Sequence, residues 1–203
     1  MGRETTGYSA TTKKDTIRGV GNLYLNIVEA ELLDAGEVDP ITAALVGAIV
    51  IGATKGGITL SIKPVWQELD IDGLSEHDEG NRIITDYDVM FSTQVVEAAH
   101  ARLTKYIPGT EAVAVGNGLT RIGPKAADCG WPEYITNVAW IGKQYDCGVT
   151  KPIVVVLRKA LSKDGITIST APRASAGISV AFKGHADPVA IADAWQLYTP
   201  TAP

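Results

Sequence analysis

The stretch Val50–Asp72, VIGATKGGITLSIKPVWQELDID, constrains this chain more than any other. An apolar run breaks at Gly52, Gly56 and Gly57, and strict alternation follows. Ile58, Leu60 and Ile62 fall on one side, Thr59, Ser61 and Lys63 on the other. A period of two is the mark of a strand with one face buried. The glycines supply the positive φ angles that a tight bend needs. Pro64 interrupts the pattern. Gln67, Leu69 and Ile71 then alternate with Glu68, Asp70 and Asp72 until Gly73 closes the unit. The pattern predicts a strand, a bend and a second strand, with Ile58, Leu60, Ile62, Leu69 and Ile71 toward the core and a ladder of carboxylates on the other face.

The rest of the chain repeats this grammar. Residues 1–21 are polar and aperiodic and read as an arm. Leu23, Leu25 and Ile27 alternate as a first strand. Glu29–Gly36 fits one helical turn ending at a glycine, and Leu45–Ile51 a well buried strand. A polar loop follows Gly73. In Arg82–Phe91, Ile83, Thr85, Tyr87, Val89 and Phe91 share one face, with Arg82, Ile84, Asp86, Asp88 and Met90 on the other. Ser92 or Thr93 is the expected cap of a helix over about Gln94–Tyr106, whose apolar stripe is Val96, Ala99, Leu103 and Tyr106. Pro108-Gly109 stops it, and 111–132 reads as loop. Strands are predicted at Tyr134–Ile141 and Ile153–Leu157. Ser162–Gly165 is the expected turn of a hairpin, and Ile178, Val180 and Phe182 mark a last core strand. Asp187-Pro188 opens an expected helix in which Ile191, Trp195 and Tyr198 share a face. No second core separates out, so residues 22–188 read as one domain flanked by an N-terminal arm and, from 189 to 203, a C-terminal one. The fold class expected is mainly β: two packed antiparallel sheets, sandwich or barrel, with one flanking helix.

Composition narrows the functions. The 203 residues carry a formal net charge of −5, so affinity for nucleic-acid phosphates is not expected. Cys129 and Cys147 stand in no C-x-x-C and beside no histidine cluster; reduced thiols are expected, with a pairing left open. The N-terminus lacks an apolar signal-type core, and the longest apolar run, Ile41–Ile51, is too short to cross a bilayer. A soluble protein made in the cytoplasm is the expectation.

Four patterns invite chemistry. Glu68-x-Asp70-x-Asp72-Gly73-x5-Glu79 is close to a calcium-binding helix–loop–helix motif. Its flanks have period two instead of 3.6, which argues for a polar strand end and loop. Gly52-Ala-Thr-Lys-Gly-Gly57 lacks both the spacing of a phosphate loop and the helix that would follow one. His77, His100 and His185 are scattered, and no nucleophile motif accompanies them. Asp86 and Asp88 share a strand face but show no cleft to serve as an acid/base pair. No catalytic residue, metal or cofactor is assigned.

The stretch GATKGGITLSIKPVWQELDIDG, then a strand opening Arg82-Ile83-Ile84, a helix and Pro108-Gly109, resembles the major tail tube proteins of tailed bacteriophages. Many members carry a G-x-T-x-G-G turn, an alternating strand and a D-I-D-G strand end. The segment Ile178–Pro188, ending Phe182-Lys183-Gly184-His185-Ala186-Asp187-Pro188, is similar to that family's closing strand. The resemblance covers about 50–110 and 150–188. It implies a non-enzymatic virion protein forming sixfold rings that stack into a hollow tube, where one sheet per subunit lines the lumen. The implied partners are other copies of the chain and tape-measure, tail terminator and baseplate proteins, with DNA passing through unbound and no membrane contact. On that reading Asp86 and Asp88 are the first lumen-facing candidates, and Glu68, Asp70 and Asp72 the second. The subunit-interface candidates are Lys13, Lys14, Arg18, Leu74, Glu76, His77, Asp78, Glu79 and Arg82. Two other classes stay open: another ring or shell component (tail terminator, baseplate ring, decoration protein or secretion tube), and a small β-rich enzyme or calcium module.

Overall fold

The computed structural model describes residues 21–32, 41, 44–69, 82–125, 133–146, 149–171, 175–186 and 193–199. Among these residues ten strands and two short helices are delimited, in the order β1 (Asn22–Leu25), α1 (Glu29–Leu32), β2 (Ile49–Val50), β3 (Thr54–Glu68), β4 (Arg82–Val95), α2 (His100–Tyr106), β5 (Thr110–Gly116), β6 (Leu119–Pro124), β7 (Ile135–Asp146), β8 (Val149–Ser169), β9 (Gly177–Lys183) and β10 (Trp195–Tyr198). The fold is mainly β and wholly antiparallel, as the alternation predicts.

One ladder runs β2-β1-β7-β8-β9-β4-β3, with β10 added to β8 and β5-β6 standing apart as a hairpin. The ladder folds over at β8. Its first part, Val149–Ala160, pairs with β7, and Leu161–Ser169 pairs with β9. Within the second part Ser162 lies opposite Phe182 and Ile166 opposite Val180, so Lys163, Asp164 and Gly165 bulge out just after the switch from β7 to β9. A strand that changes sheets does so at a bulge or bend. The hairpin expected at Ser162–Gly165 is therefore a bulge within one long strand. Gly165 has a positive φ, and its carbonyl accepts a bond from Ser162 Oγ.

The two halves of the ladder share a core. Leu23, Leu25, Val138, Val155 and Leu157 from one half pack with Val89, Phe91, Val180 and Phe182 from the other. The first half is covered on its second face too. Ile27, Ala139, Val154 and Val156 lie there under Tyr24, Ile41, Leu45, Ala48 and Tyr198. Burial on both faces explains the unbroken apolar run Ile153–Leu157, where alternation would be out of place. The half made of β3, β4, β9 and the end of β8 buries one face, which is why its sequence alternates cleanly.

Several expectations give way. Leu45–Ile51 is not a strand; β2 is two residues long, and Val46 in the preceding turn is 72% exposed. Val50–Asp72 is not two strands, because Pro64 sits inside β3 opposite Tyr87 without breaking it. β3 is the last strand of its sheet, and a proline is tolerated on an edge. Leu69 lies just past β3, half-buried, and Ile71 lies outside the described residues. The helix begins at His100, not Gln94. Ser92 and Thr93 belong to β4, and the residue preceding the helix, Ala99, makes no side-chain cap. Thr93 and Val95 are buried in register with β9, and that sheet pairing outweighs the helical spacing of Val96 and Ala99. The C-terminal segment forms β10 against β8 instead of a helix, so part of the expected arm belongs to the domain. Residues 1–20 and 33–36, Cys129 and Cys147, and the expected helix start at Asp187-Pro188 lie outside the described residues.

Two side-chain ties fix the periphery. Tyr106 of α2 is fully buried, stands edge-on to Phe182 with centroids 6.0 Å apart, and donates its hydroxyl to Ile51 O at 2.8 Å. Burial pushes its phenol up to about 12. An unfolded tyrosine ionises near 10. The stability that Tyr106 contributes is therefore whole below pH 10 and is lost as pH rises from 10 to 12. Tyr106→Phe is expected to cost about 1–2 kcal/mol at pH 8. It should also soften the alkaline loss, as read by urea unfolding at pH 8 and pH 11. An unchanged pH dependence counts against the buried phenol as its source. The second tie joins α1, β8 and β10. Arg158 Nε and Nη2 donate to the two oxygens of Glu29 at 2.7 and 2.8 Å, and Tyr198 Oη donates to the same carboxylate at 2.6 Å.

Candidate functional site

Register identifies which side chains share the open face of the β8–β9–β4–β3 half, since residues opposite across a ladder project to the same side. One row holds Thr167, Ser179, Gln94 and Lys55; the next holds Ala181, Ser92 and Thr59; the third holds Leu161, Lys183, Met90 and Ser61. Asp88 with Lys63 and Asp86 with Val65 continue it. This face is rich in hydroxyls and small side chains, while the reverse face carries Val89, Phe91, Val180 and Phe182 into the core.

The glycines shape one end of it. Lys55 pairs with Gln94 and Ile58 with Thr93, leaving Gly56 and Gly57 bulged out with φ of 83° and 85°. A Cβ at either would meet nothing within 4 Å, so the demand is on φ and not on space. Thr93 Oγ1 clamps the bulge through the Gly57 carbonyl at 2.8 Å. Gly52 also has a positive φ of 105°. It lies where Glu97 accepts from the backbone N–H of Ala53 and pairs with Arg102. These are the bend glycines that the sequence points to; Gly73 lies outside the described residues.

Asp86 and Asp88 do share this face, but they do not form a bare acidic ladder. Asp88 bonds Lys183 Nζ at 2.8 Å. That bond, helped by the charges of Lys183, Lys163 and Lys63, holds its carboxyl below the usual range. Asp86 accepts the backbone N–H of Tyr87 at 2.7 Å. Lys163 and Asp164 of the β8 bulge border the same face. Positive and negative side chains are interspersed, and the surface is close to neutral.

Glu68 is not part of it. Val65 lies opposite Asp86, but Trp66 lies opposite Ile84, so Thr85 is an extra residue in β4. This bulge reverses the alternation and groups Glu68, Trp66, Ile84 and Arg82 on the other side. The single face expected for Arg82, Ile84, Asp86 and Asp88 is split by it. Glu68 pairs with Arg82 at 2.7 Å, an exposed pair of small energetic value. Both ends of the calcium-like stretch thus lead into paired antiparallel strands, contrary to the helices such a motif needs. Asp70, Asp72, Leu74, Glu76, His77, Asp78 and Glu79, like Lys13, Lys14 and Arg18, lie outside the described residues.

Beyond Asp88 the β3–β4 pair leaves its neighbours. β9 pairs with β4 only over Met90–Val95, so the remainder is a two-stranded ribbon. It exposes Val65, Trp66, Ile83, Ile84 and Tyr87, with Trp66 at 54%. Such a ribbon is marginal in water unless something packs on it.

The other histidines have structural surroundings. His185 Nδ1 lies 3.1 Å from the Lys159 carbonyl, and its ring stands edge-on to Tyr134. His100 opens α2, exposed. Among the described residues no three of His, Cys, Asp or Glu gather as metal ligands. None of their helices is long and apolar enough to cross a membrane.

Sequence reasoning missed one surface altogether. The segment assigned to loop, 111–132, contains the β5–β6 hairpin, closed by Asn117-Gly118 between the paired Gly116 and Leu119. Asn117 and Gly118 both have positive φ, 52° and 73°. Asn-Gly flanked by alternating residues is the strongest short-range hairpin signal and was available in the sequence.

No protein-family model matches the chain, and no curated protein matches it.

Proposed function

We propose that this chain is a structural virion protein that polymerises as stacked six-membered rings into a hollow tail tube, the conduit for DNA. The observation that carries the reading is a four-stranded half-sheet with a polar outer face and two edges that are unpaired among the described residues. β3 forms one edge. At the other, Ile166–Ser169 of β8 pairs only with β9 among the described residues, and Ile168 is 60% exposed. Long open edges are a liability in a monomer, and closing a ring removes them. A head-to-tail contact between unlike edges generates rings when its rotation closes.

The dimensions agree. Six copies set about 24 strands side by side at a spacing of about 4.8 Å. The circumference is then at least about 115 Å, and the backbone bore roughly 35–50 Å depending on strand tilt. Side chains lining that bore still leave room for a DNA duplex. A face of Ser, Thr, Ala and Gln with interspersed charges has no cationic stripe to hold phosphates. Asp86 and Asp88 then face the lumen among lysines. The Trp66 ribbon reaches to the next subunit or ring, where its apolar side chains are covered.

Negative-stain microscopy of the concentrated, folded protein tests the reading. Hollow tubes of uniform bore are the expected result. Closed rings that do not stack select a terminator or baseplate ring component instead. A monodisperse monomer at every concentration overturns the proposal.

A further inference from the structure

The β5–β6 hairpin has no cover over its length among the described residues. Every residue from Glu111 to Arg121 is exposed, although Val113, Val115 and Leu119 are apolar, with Val115 at 56% and Leu119 at 66%. Among the described residues its main packing is against α2 at its base. The Asn117-Gly118 turn makes the tip a defined shape, because both residues are held in the left-handed region. One cation, Arg121, lies across the ladder from Val113 and pairs with no carboxylate among the described residues.

A groove of about 460 Å³ elsewhere on the molecule has the opposite character. It lies between β10 and the start of the Trp66 ribbon, with Tyr87, Trp195 and Leu197 as its apolar lining. The Tyr87 and Trp195 rings meet edge to face at 5.9 Å, and Leu197 is 47% exposed. Asp86 and Asp193 border it, and among the described residues no lysine or arginine does. That volume is in the range that admits a few apolar side chains. Tyr and Trp in a groove with polar lips are the usual anchors of a protein contact.

We propose that the tip of the β5–β6 hairpin of one copy seats in the Tyr87–Trp195–Leu197 groove of a second copy. Val115 and Leu119 enter the groove, and Arg121 meets Asp86 at its lip. Knob and hole are different surfaces of the same chain, so the contact is head-to-tail and propagates from copy to copy. It is separate from the edge pairing that closes the barrel. It requires only that copies associate.

The test is crosslinking between copies. With Cys129 and Cys147 replaced by serine, Val115→Cys and Leu197→Cys are placed in separate chains, mixed and mildly oxidised. A mixed disulfide dimer is expected, and none when Thr59→Cys replaces Val115→Cys. In the otherwise native chain Arg121→Glu should weaken association about tenfold, and Asp86→Arg added to it should restore most of the loss. Circular dichroism confirms that each variant is folded. Tubes that form without the Val115–Leu197 crosslink overturn this contact and leave the tube reading intact. The crosslink appearing in open chains that never close or stack supports the contact and removes the tube. Absence of both crosslink and charge rescue overturns the contact.

Discussion

Replacing Phe182 with alanine is expected to destabilise the domain by about 3–5 kcal/mol, a large share of the 5–15 kcal/mol typical of a whole domain. Phe182 is fully buried on β9, the strand between the sheet-changing end of β8 and β4. It lies opposite Phe91 across one ladder and Ser162 across the other, with Tyr106 edge-on above it. Truncation therefore removes a side chain set between both neighbouring strands and the helix. Because sheets on either side hold the backbone, the site cannot collapse around the void. Urea unfolding should show a lower midpoint at an unchanged slope. Leu197→Ala, at a half-exposed position, should change stability by no more than about 0.5 kcal/mol. A loss under about 1 kcal/mol for Phe182→Ala contradicts the shared core.

Glu29→Ala is expected to cost about 3 kcal/mol. The side chains of Glu29 and Arg158 are only 12% and 18% exposed, and the guanidinium grips both carboxylate oxygens. Removing Glu29 leaves a largely buried cation, while the Tyr198 hydroxyl keeps Gln196 Oε1, also at 2.6 Å, as its acceptor. The bond to Glu29 pushes Arg158 up, so the guanidinium stays charged and cannot relieve the loss by giving up a proton. Glu29→Leu combined with Arg158→Met should recover much of the stability, because a broken pair is worse than an apolar one. The double-mutant cycle measures the coupling; additive effects contradict it. Burial, then the Glu29 bond, pushes the Tyr198 phenol up to about 12. Its contribution is intact below pH 10 and lost between 10 and 12. β10 should detach from β8 in that window.

Alternation is legible where one face is buried. Ile58, Leu60, Ile62, Val89, Phe91, Ile178, Val180 and Phe182 all lie against the core as their spacing predicts. The pattern misleads where pairing depends on distant partners. Nothing local marks Thr85 as an extra residue, since only the register with Val65 and Trp66 creates the bulge. Trp195 and Tyr198 have helical spacing, yet β8 offers an open edge that takes them as a strand. Lys163–Gly165 has the composition of a turn, and becomes a bulge because β9 pairs on both sides of it. The open face had a partial signal: Asp86 and Asp88 were visible, but of the lysines beside them only Lys63 is on the adjoining strand β3, and Lys183 and Lys163 come from β9 and the β8 bulge, far away in sequence. The β5–β6 hairpin was legible and missed, its glycines taken as loop punctuation.

Pro64 sets a length. A proline on an edge strand turns its missing donor outward. Any strand that adds to β3 therefore finds an uninterrupted row of donors only on the near side of residue 64. From Ile58 to Lys63 that is six residues, or about 20 Å of usable seam. Past it the chain still advances to Glu68 with its carbonyls and later N–H groups intact, but the row of donors has a gap at residue 64. The proline thus works as a mark on a ruler, the one place along the seam where a donor is missing. A neighbour sliding along the seam would meet that gap at one fixed place, and every joint in an assembly would be cut to the same size.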